Sequence, residues 1–449
     1  MKILLLAYYF PPESSSGSFR PLFFSNHLCE FGENVTVITA QEKDFLPLQP
    51  RDPKLLDIVD SRVEIVRVRA FRSREMLLRI RKMFQLKRVS TSNNISITDQ
   101  RPVSNITKNK GLWQKIKDFV TDLLTTPDDH IGWMPHAVNV GLKIIKNNGV
   151  DVILATASPW STLLVACVLK KITGVPIVLD FRDPWVSNPG FRLRGSFVAR
   201  IDRWLEKWVV SSADAIIANT EEAREDFLTR FPLLSKSSVI TITNGFEDYM
   251  PIREHKNHSN RPLIITHTGE IYWSRNPRPF LEAVDQLVKE GKITSSELRI
   301  RFIGGLEPKD IISKLIINLC ECGVLEIMQR VPYNNALEYM EESDILLLLQ
   351  AGFLLQVPRK LYEYMAFRKP IFCISEIDSP SARIVREYNL GTVAVNTVEA
   401  IGNYLLGLLT DWEKGELNTY LGNRCDNFKN RVLSKKLLSV LNNVSNADR

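Results

Sequence analysis

A proline, a lysine and a glutamate carry the first chemistry that can be read in this chain. Pro358 opens a helical stretch that continues Arg359-Lys360-Leu361-Tyr362-Glu363-Tyr364-Met365-Ala366. Proline suits the first helical position, because its fixed φ and missing amide hydrogen are harmless there. Lys360 and Glu363, three residues apart, then share a face within the first two turns. A lysine beside the positive end of a helix is unfavourable unless an anion is near, which points to a phosphate. A glutamate one turn on can accept hydrogen bonds from a ribose diol, as acidic residues do in dinucleotide sites. Lysine on a diphosphate and glutamate on a ribose describe a nucleotide-sugar pocket. A solvated surface ion pair would use the same two residues.

Such a pair needs a scaffold. Short apolar strands alternate with helical patterns from end to end, so the expected fold is α/β, with parallel sheets covered on both faces. The first series of strands is Lys2–Ala7, Asn34–Thr39, Val63–Val68, Val150–Ala155, Ile177–Asp180, Ala215–Ala218 and Ser238–Thr241. Polar residues Glu247–Arg261 read as a linker. The second series is Leu263–Gly269, Leu298–Ile303, Glu326–Arg330, Asp344–Leu349, Pro370–Ile374 and Thr392–Val395. Two doubly wound Rossmann-like domains facing a central cleft are expected: 1–250 on the acceptor side, and 251–425 holding the nucleotide. Residues 426–449 form a helical segment that is a candidate to pack back on the first domain.

With 449 residues, 44% of them hydrophobic and 24% charged, the chain has the bulk of a two-domain globular protein. The apolar start ends in Phe10-Pro11-Pro12-Glu13 without a small-residue cleavage site, so it reads as a buried strand and not a signal peptide. No apolar run approaches the ~20 residues of a membrane span. Six scattered cysteines suggest reduced thiols and a cytoplasmic location. The net charge is +7, yet Arg67–Lys117 alone carries fourteen Lys or Arg against Glu75 and Asp99, which leaves the remainder near −5. That segment lies largely in an insertion, 71–127, with two basic amphipathic stripes: Met76, Leu77, Ile80, Met83 and Phe84, then Trp113, Ile116, Phe119, Val120 and Leu123. Either the stripes pack on their own domain, or residues 67–123 rest on an anionic membrane at its inner face. No nucleic-acid partner is expected.

Ligands of doubly wound sheets sit beyond the carboxyl ends of the strands. After the first strand comes Tyr8-Tyr9-Phe10-Pro11-Pro12-Glu13-Ser14-Ser15-Ser16-Gly17-Ser18-Phe19-Arg20, where Gly17 permits close approach and Arg20 lies at the next helix. Neither G-x-G-x-x-G nor a Walker A sequence occurs, which weighs against dinucleotide oxidoreductases and P-loop enzymes. Asp180 ends the apolar strand Val175–Leu179 and so should point into the cleft, unless it serves as a cap or pairs with Arg182. Ser158 and Trp160 follow another strand, and Trp160 is either a sugar-stacking platform or core. His130 and Trp133 open a helix, with His130 either a general base or structural.

Phe10-Pro11-Pro12-Glu13 with Gly17 and Arg20 resembles the opening of bacterial family 4 glycosyltransferases, which have the GT-B fold. The likeness continues through Asp180-Phe181-Arg182-Asp183-Pro184-Trp185, Asn244-Gly245-Phe246-Glu247, His267-Thr268-Gly269-Glu270-Ile271-Tyr272 with Arg275-Asn276-Pro277, and the Pro358–Ala366 helix. The resemblance implies transfer from a nucleoside diphosphate sugar, with retention, to a glycan or lipid-linked acceptor in surface polysaccharide or glycolipid assembly. It implies Asp180, Arg275 and Lys360 as the catalytic set. Gly17, Gly269, Glu270, Arg275, Lys360 and Glu363 would hold the donor. Arg20, His130, Trp133, Ser158, Trp160 and Asp183 would face the acceptor. No cofactor beyond the co-substrate is expected, and with no D-x-D sequence, no metal. One departure stands out: the family commonly has a glutamate eight positions before the ribose ligand, and here that residue is Leu355. A nucleotide-sugar 2-epimerase of the same fold, or a non-catalytic binding protein, would share much of this pattern.

Overall fold

The computed structural model describes residues 1–45, 49–71, 122–188, 196–247, 261–271, 275–305, 313–417 and 423–447. The amphipathic stripes of the insertion fall outside these residues, apart from an exposed Leu123. Thirteen strands among the described residues build two sheets, and each lies within a residue or two of its expected place. The first sheet holds β1 (Lys2–Leu6), β2 (Asn34–Ala40), β3 (Glu64–Val68), β4 (Val152–Ala157), β5 (Ile177–Phe181), β6 (Ala215–Ala218) and β7 (Val239–Thr241). The second holds β8 (Leu263–Thr268), β9 (Leu298–Ile303), β10 (Leu325–Met328), β11 (Ile345–Leu349), β12 (Ile371–Ile374) and β13 (Gly391–Ala394).

Every pairing is parallel, in the orders β3-β2-β1-β4-β5-β6-β7 and β10-β9-β8-β11-β12-β13. Parallel sheets are covered on both faces, which is why β11 reads Ile-Leu-Leu-Leu-Leu and buries all five residues. In each sheet the chain winds outward from one strand and then returns to its other side: beside β1 with β4, and beside β8 with β11. These two reversals open crevices at the strands' carboxyl ends.

The helices of the first unit are α1 (Ser16–Glu30), α2 (Met134–Asn148), α3 (Ser161–Thr173), α4 (Ser196–Ser212) and α5 (Glu221–Arg230). Those of the second are α6 (Arg278–Lys289), α7 (Ser313–Glu321), α8 (Tyr333–Glu342), α9 (Arg359–Ala366), α10 (Pro380–Glu387) and α11 (Val398–Glu413). The last helix, α12 (Asn430–Ala447), leaves the second unit and buries Leu433, Leu437 and Leu441 against Ile3, Phe24 and Leu28 of the first. A two-way backbone clasp holds its start: Phe246 N–H donates to the Phe428 carbonyl at 3.1 Å and Asn430 N–H to that of Phe246 at 2.9 Å. The strand-end loops of the units also touch directly. Arg330 donates to the Ser14 carbonyl at 2.7 Å, Thr220 Oγ1 to that of Leu355 at 2.9 Å, and Gln356 to Asp183 at 3.2 Å. The two crevices thus belong to one cleft.

Candidate active site

In the second unit, β8 delivers His267 to the reversal point and β11 leads through a loop to α9. Buried His267 places Nδ1 2.9 Å from the Leu347 carbonyl, which can only accept, so Nδ1 carries the hydrogen. Nε2 is left with a lone pair, and Lys360 Nζ lies 3.3 Å from it. The Lys360 side chain also crosses Gly269, whose φ is +92° and where a Cβ would stand 2.6 Å from Nζ. Glycine is needed there both for that backbone and for the passage of the lysine. Burial holds the Lys360 ammonium well below the ordinary lysine range, helped by the positive charge of Arg275 and then Arg330, while Glu363 and Glu270 pull the other way. His267 is likewise held well below its usual value, by burial and then by Lys360, and stays neutral. A half-buried ammonium among guanidinium groups is a site that gains by taking up an anion.

Glu363 lies one turn further, and its partner is not Lys360. Its Oε1 accepts from Arg359, at the i,i+4 spacing, and from the Tyr333 hydroxyl at 3.0 Å. Arg275 stands over the Phe353 ring, 5.9 Å from its centroid. Glu270 is exposed at the cleft edge. The 350–357 loop, which carries Leu355, is pinned by its backbone. Thr220 takes the Leu355 carbonyl, and Gly352 N–H donates to both oxygens of Glu376 at 2.9 and 3.0 Å.

In the first unit, four expectations require correction. Asp180 does not point into the cleft. It is 0% exposed, and its oxygens accept from Arg20 Nη2 at 2.8 Å, Arg20 Nε at 2.9 Å and Thr156 Oγ1 at 2.8 Å. A carboxylate buried on a central strand must be neutralised where it lies, and a bidentate guanidinium does that. Arg20 is therefore committed as well: it also donates to the carbonyls of Ile242 and Thr243, tying α1 to the exit from β7. Trp133 is fully buried, edge-on to Tyr8 with ring centroids 5.6 Å apart, and is core. Gly17 packs beneath Arg182 and Tyr9, each 2.9 Å from where its Cβ would be, so its smallness serves this unit's own packing.

Of the residues expected on the acceptor side, His130, Ser158 and Trp160 do meet. Tyr9, Asp128, His130, Ser158 and Trp160 line a cavity of about 270 Å³ at the reversal beside β1 and β4. Tyr9 hydroxyl and His130 Nε2 are 2.9 Å apart, and the His130 ring lies tilted against Tyr8 with centroids 4.3 Å apart. Burial pushes the His130 imidazole down despite the nearby Asp128 and Asp129, and it pushes the Tyr9 phenol up, so both are neutral near pH 7. Asp128 caps α3, accepting from Ser161 N at 2.8 Å and Ser161 Oγ at 2.9 Å. Trp160 lies nearly parallel to Trp185, 16° off and 5.7 Å away. Asp183 pairs with Arg182 at 3.2 Å and receives Gln356 from the other unit. Among the described residues, no group of three or more His, Cys, Asp or Glu side chains could hold a metal ion.

Residues 117–248 match the family model for Glycosyltransferase Family 4, and residues 249–426 match that for Glycosyl transferases group 1. The chain has the GT-B fold, and each of its two units resembles a glycosyltransferase model. The probable glycosyltransferase WbjE of Pseudomonas aeruginosa is 26% identical to this GT-B chain over 254 residues, 54% of the chain and 61% of WbjE. The chain spans less than two thirds of the length of the curated relatives it matches. Among solved structures, Anabaena HepE, determined with UDP and glucose, superposes with a TM-score of 0.63 at 13% identity, covering 99% of this chain and all of HepE. The UDP-GlcNAc 2-epimerase of Neisseria meningitidis reaches 0.51 at 12% identity, covering 99% of this chain and all of the epimerase. At these identities the structural likeness speaks for the fold.

Four residues around Lys360 and Glu363 had no role from the sequence. Arg330 follows β10 and Tyr333 begins α8, so both sit at strand-end positions that topology alone marks. Arg359 stands four residues from Glu363, a spacing as legible as that of Lys360. His267 gave no local signal, because its role depends on a carbonyl eighty residues away.

Proposed function

We propose that the protein transfers a sugar, with retention, from a nucleoside diphosphate sugar held by the second unit to an acceptor hydroxyl held by the first. The observation that carries this reading is the Lys360 ammonium, pressed against Gly269 and His267 with Arg275 and Arg330 near, one helical turn from Glu363. That is a diphosphate seat with a carboxylate at ribose reach. In the reaction, the bond from the anomeric carbon to the diphosphate oxygen breaks and negative charge accumulates on the leaving phosphate. Lys360, Arg275 and Arg330 are the groups positioned to stabilise that charge, an interaction that strengthens towards the transition state. The acceptor oxygen bonds to the same carbon from the face the diphosphate leaves. There its proton can pass to a phosphate oxygen.

The Tyr9–His130–Trp160 cavity supports an acceptor, which an epimerase would not need. Asp183 and Gln356 join the two units. We assign the acceptor as a glycan or lipid-linked sugar of surface polysaccharide assembly, and the chemistry as metal-independent because cations of the chain occupy the diphosphate seat. The test is turnover of UDP-, GDP- and ADP-sugars with and without sugar acceptors, with the nucleotide product followed. Acceptor-dependent release of free nucleoside diphosphate supports transfer. An isomerised nucleotide sugar formed without acceptor would establish epimerisation instead.

A further inference from the structure

Glu363 is the residue assigned to the ribose, and its orientation is set from the other unit. Arg359, which donates to Glu363, lies with its guanidinium carbon 3.6 Å from the centroid of the Phe19 ring. Phe19 belongs to α1 of the first unit and is buried. The same guanidinium donates to the Tyr333 hydroxyl at 3.0 Å, and that hydroxyl donates on to Glu363 at 3.0 Å. The Tyr333 ring in turn rests on Phe19, centroids 4.7 Å apart, and Tyr333 N–H donates to Asp52 of the first unit at 3.2 Å. Arg359 and Glu363 are only 11% and 12% exposed, so little water competes for these bonds. A guanidinium over a desolvated aromatic face is held in place by the ring quadrupole. Phe19, a first-unit residue with no polar atom, thereby fixes the plane of the arginine that fixes the carboxylate.

We infer that Arg359 and Tyr333 are positioning residues which hold Glu363 ready for the ribose only while Phe19 covers them, so that closure of the two units prepares the nucleotide site. The inference rests on the ribose role of Glu363. Separation of the units would take Phe19 from both the Arg359 guanidinium and the Tyr333 ring. Arg359 would then be free to turn to solvent, and the carboxylate would lose the direction of its second oxygen. Ribose recognition becomes a property of the closed form, although no first-unit atom need touch the nucleotide.

The test is ribose discrimination in the full-length protein. UDP, GDP and ADP are each compared with their 2′-deoxy and 3′-deoxy forms by calorimetry, in the wild type and in Phe19→Leu and Tyr333→Phe. Both substitutions keep most of the buried volume, and near-ultraviolet circular dichroism checks that each is folded. The wild type should prefer its ribonucleotide by roughly 10- to 150-fold, the range of a hydrogen bond to a charged group. In Phe19→Leu and in Tyr333→Phe that ratio should fall several-fold, with affinity for the deoxynucleotide little changed. A merely structural role for Phe19 would weaken both nucleotides alike and leave the ratio intact, which overturns the inference while the donor site stands. No discrimination in the wild type with any base would remove the ribose role of Glu363 itself, and this inference with it.

Discussion

Replacing Lys360 by methionine should weaken nucleotide-sugar binding and abolish a proton uptake that the wild type shows. In the free protein, burial and the charges of Arg275 and Arg330 hold the Lys360 ammonium well below its ordinary value of about 10.4. A bound diphosphate reverses that balance: opposite unit charges about 4 Å apart attract by about 4 kcal/mol at an effective dielectric of about 20. The bound state therefore binds the proton more tightly than the free state. In the window between the depressed value and about 10.4, binding takes up as much as one proton and affinity falls as pH rises. Hydrogen bonds to charged groups typically contribute about 1.5–3 kcal/mol, so Lys360→Met should lose roughly 10- to 150-fold in affinity. Turnover should fall further, since charge on the diphosphate grows towards the transition state. The same depression makes the free protein less stable below that window than above it, because the unfolded chain keeps the proton. Lys360→Met should therefore raise the melting temperature of the nucleotide-free protein. The assay is titration calorimetry with a nucleotide sugar, whose diphosphate has no ionisation near neutrality, in buffers of different protonation enthalpy. Equal proton uptake in wild type and Lys360→Met, or none in either, would refute the reasoning.

Gly269→Ala places a methyl 2.6 Å from Lys360 Nζ at a residue with φ of +92°, so it should displace the lysine and reduce nucleotide affinity at least tenfold in calorimetry. Asp180→Ala should act on folding and not on chemistry: it strands the buried Arg20 guanidinium and should cost about 3–5 kcal/mol in urea denaturation. Trp160→Ala should raise the acceptor KM several-fold, in keeping with about 0.5–1.5 kcal/mol for an aromatic contact, and leave the donor KM unchanged. A matching rise in the donor KM would place Trp160 outside the acceptor site.

The fold was legible because parallel strands are buried on both faces, so each of Lys2–Leu6, Ile177–Phe181 and Ile345–Leu349 announces itself as a short apolar run. The helix that carries Lys360 and Glu363 was legible for a similar reason: with Pro358 at its start, it is one local segment whose geometry the sequence dictates. Asp180 was misread because its partner, Arg20, is 160 residues away, and a strand-end carboxylate looks the same whether it meets a ligand or a guanidinium. Trp133 failed likewise, since only the Tyr8 ring decides that it is core. Lys360 and Glu363 lie on one helix, as their spacing predicts, yet the ion pair goes to Arg359, whose longer fork reaches Glu363 one full turn away while Lys360 bends over Gly269.

A crystal structure of the full chain with a bound nucleoside diphosphate tests the donor site most directly. The diphosphate oxygens should lie within hydrogen-bonding distance of Lys360 Nζ, above Gly269, and the ribose hydroxyls should meet the Glu363 carboxylate. A nucleotide seated beside β1 and β4 of the first unit, or bound with Lys360 still turned to His267 and no phosphate near it, would contradict the account.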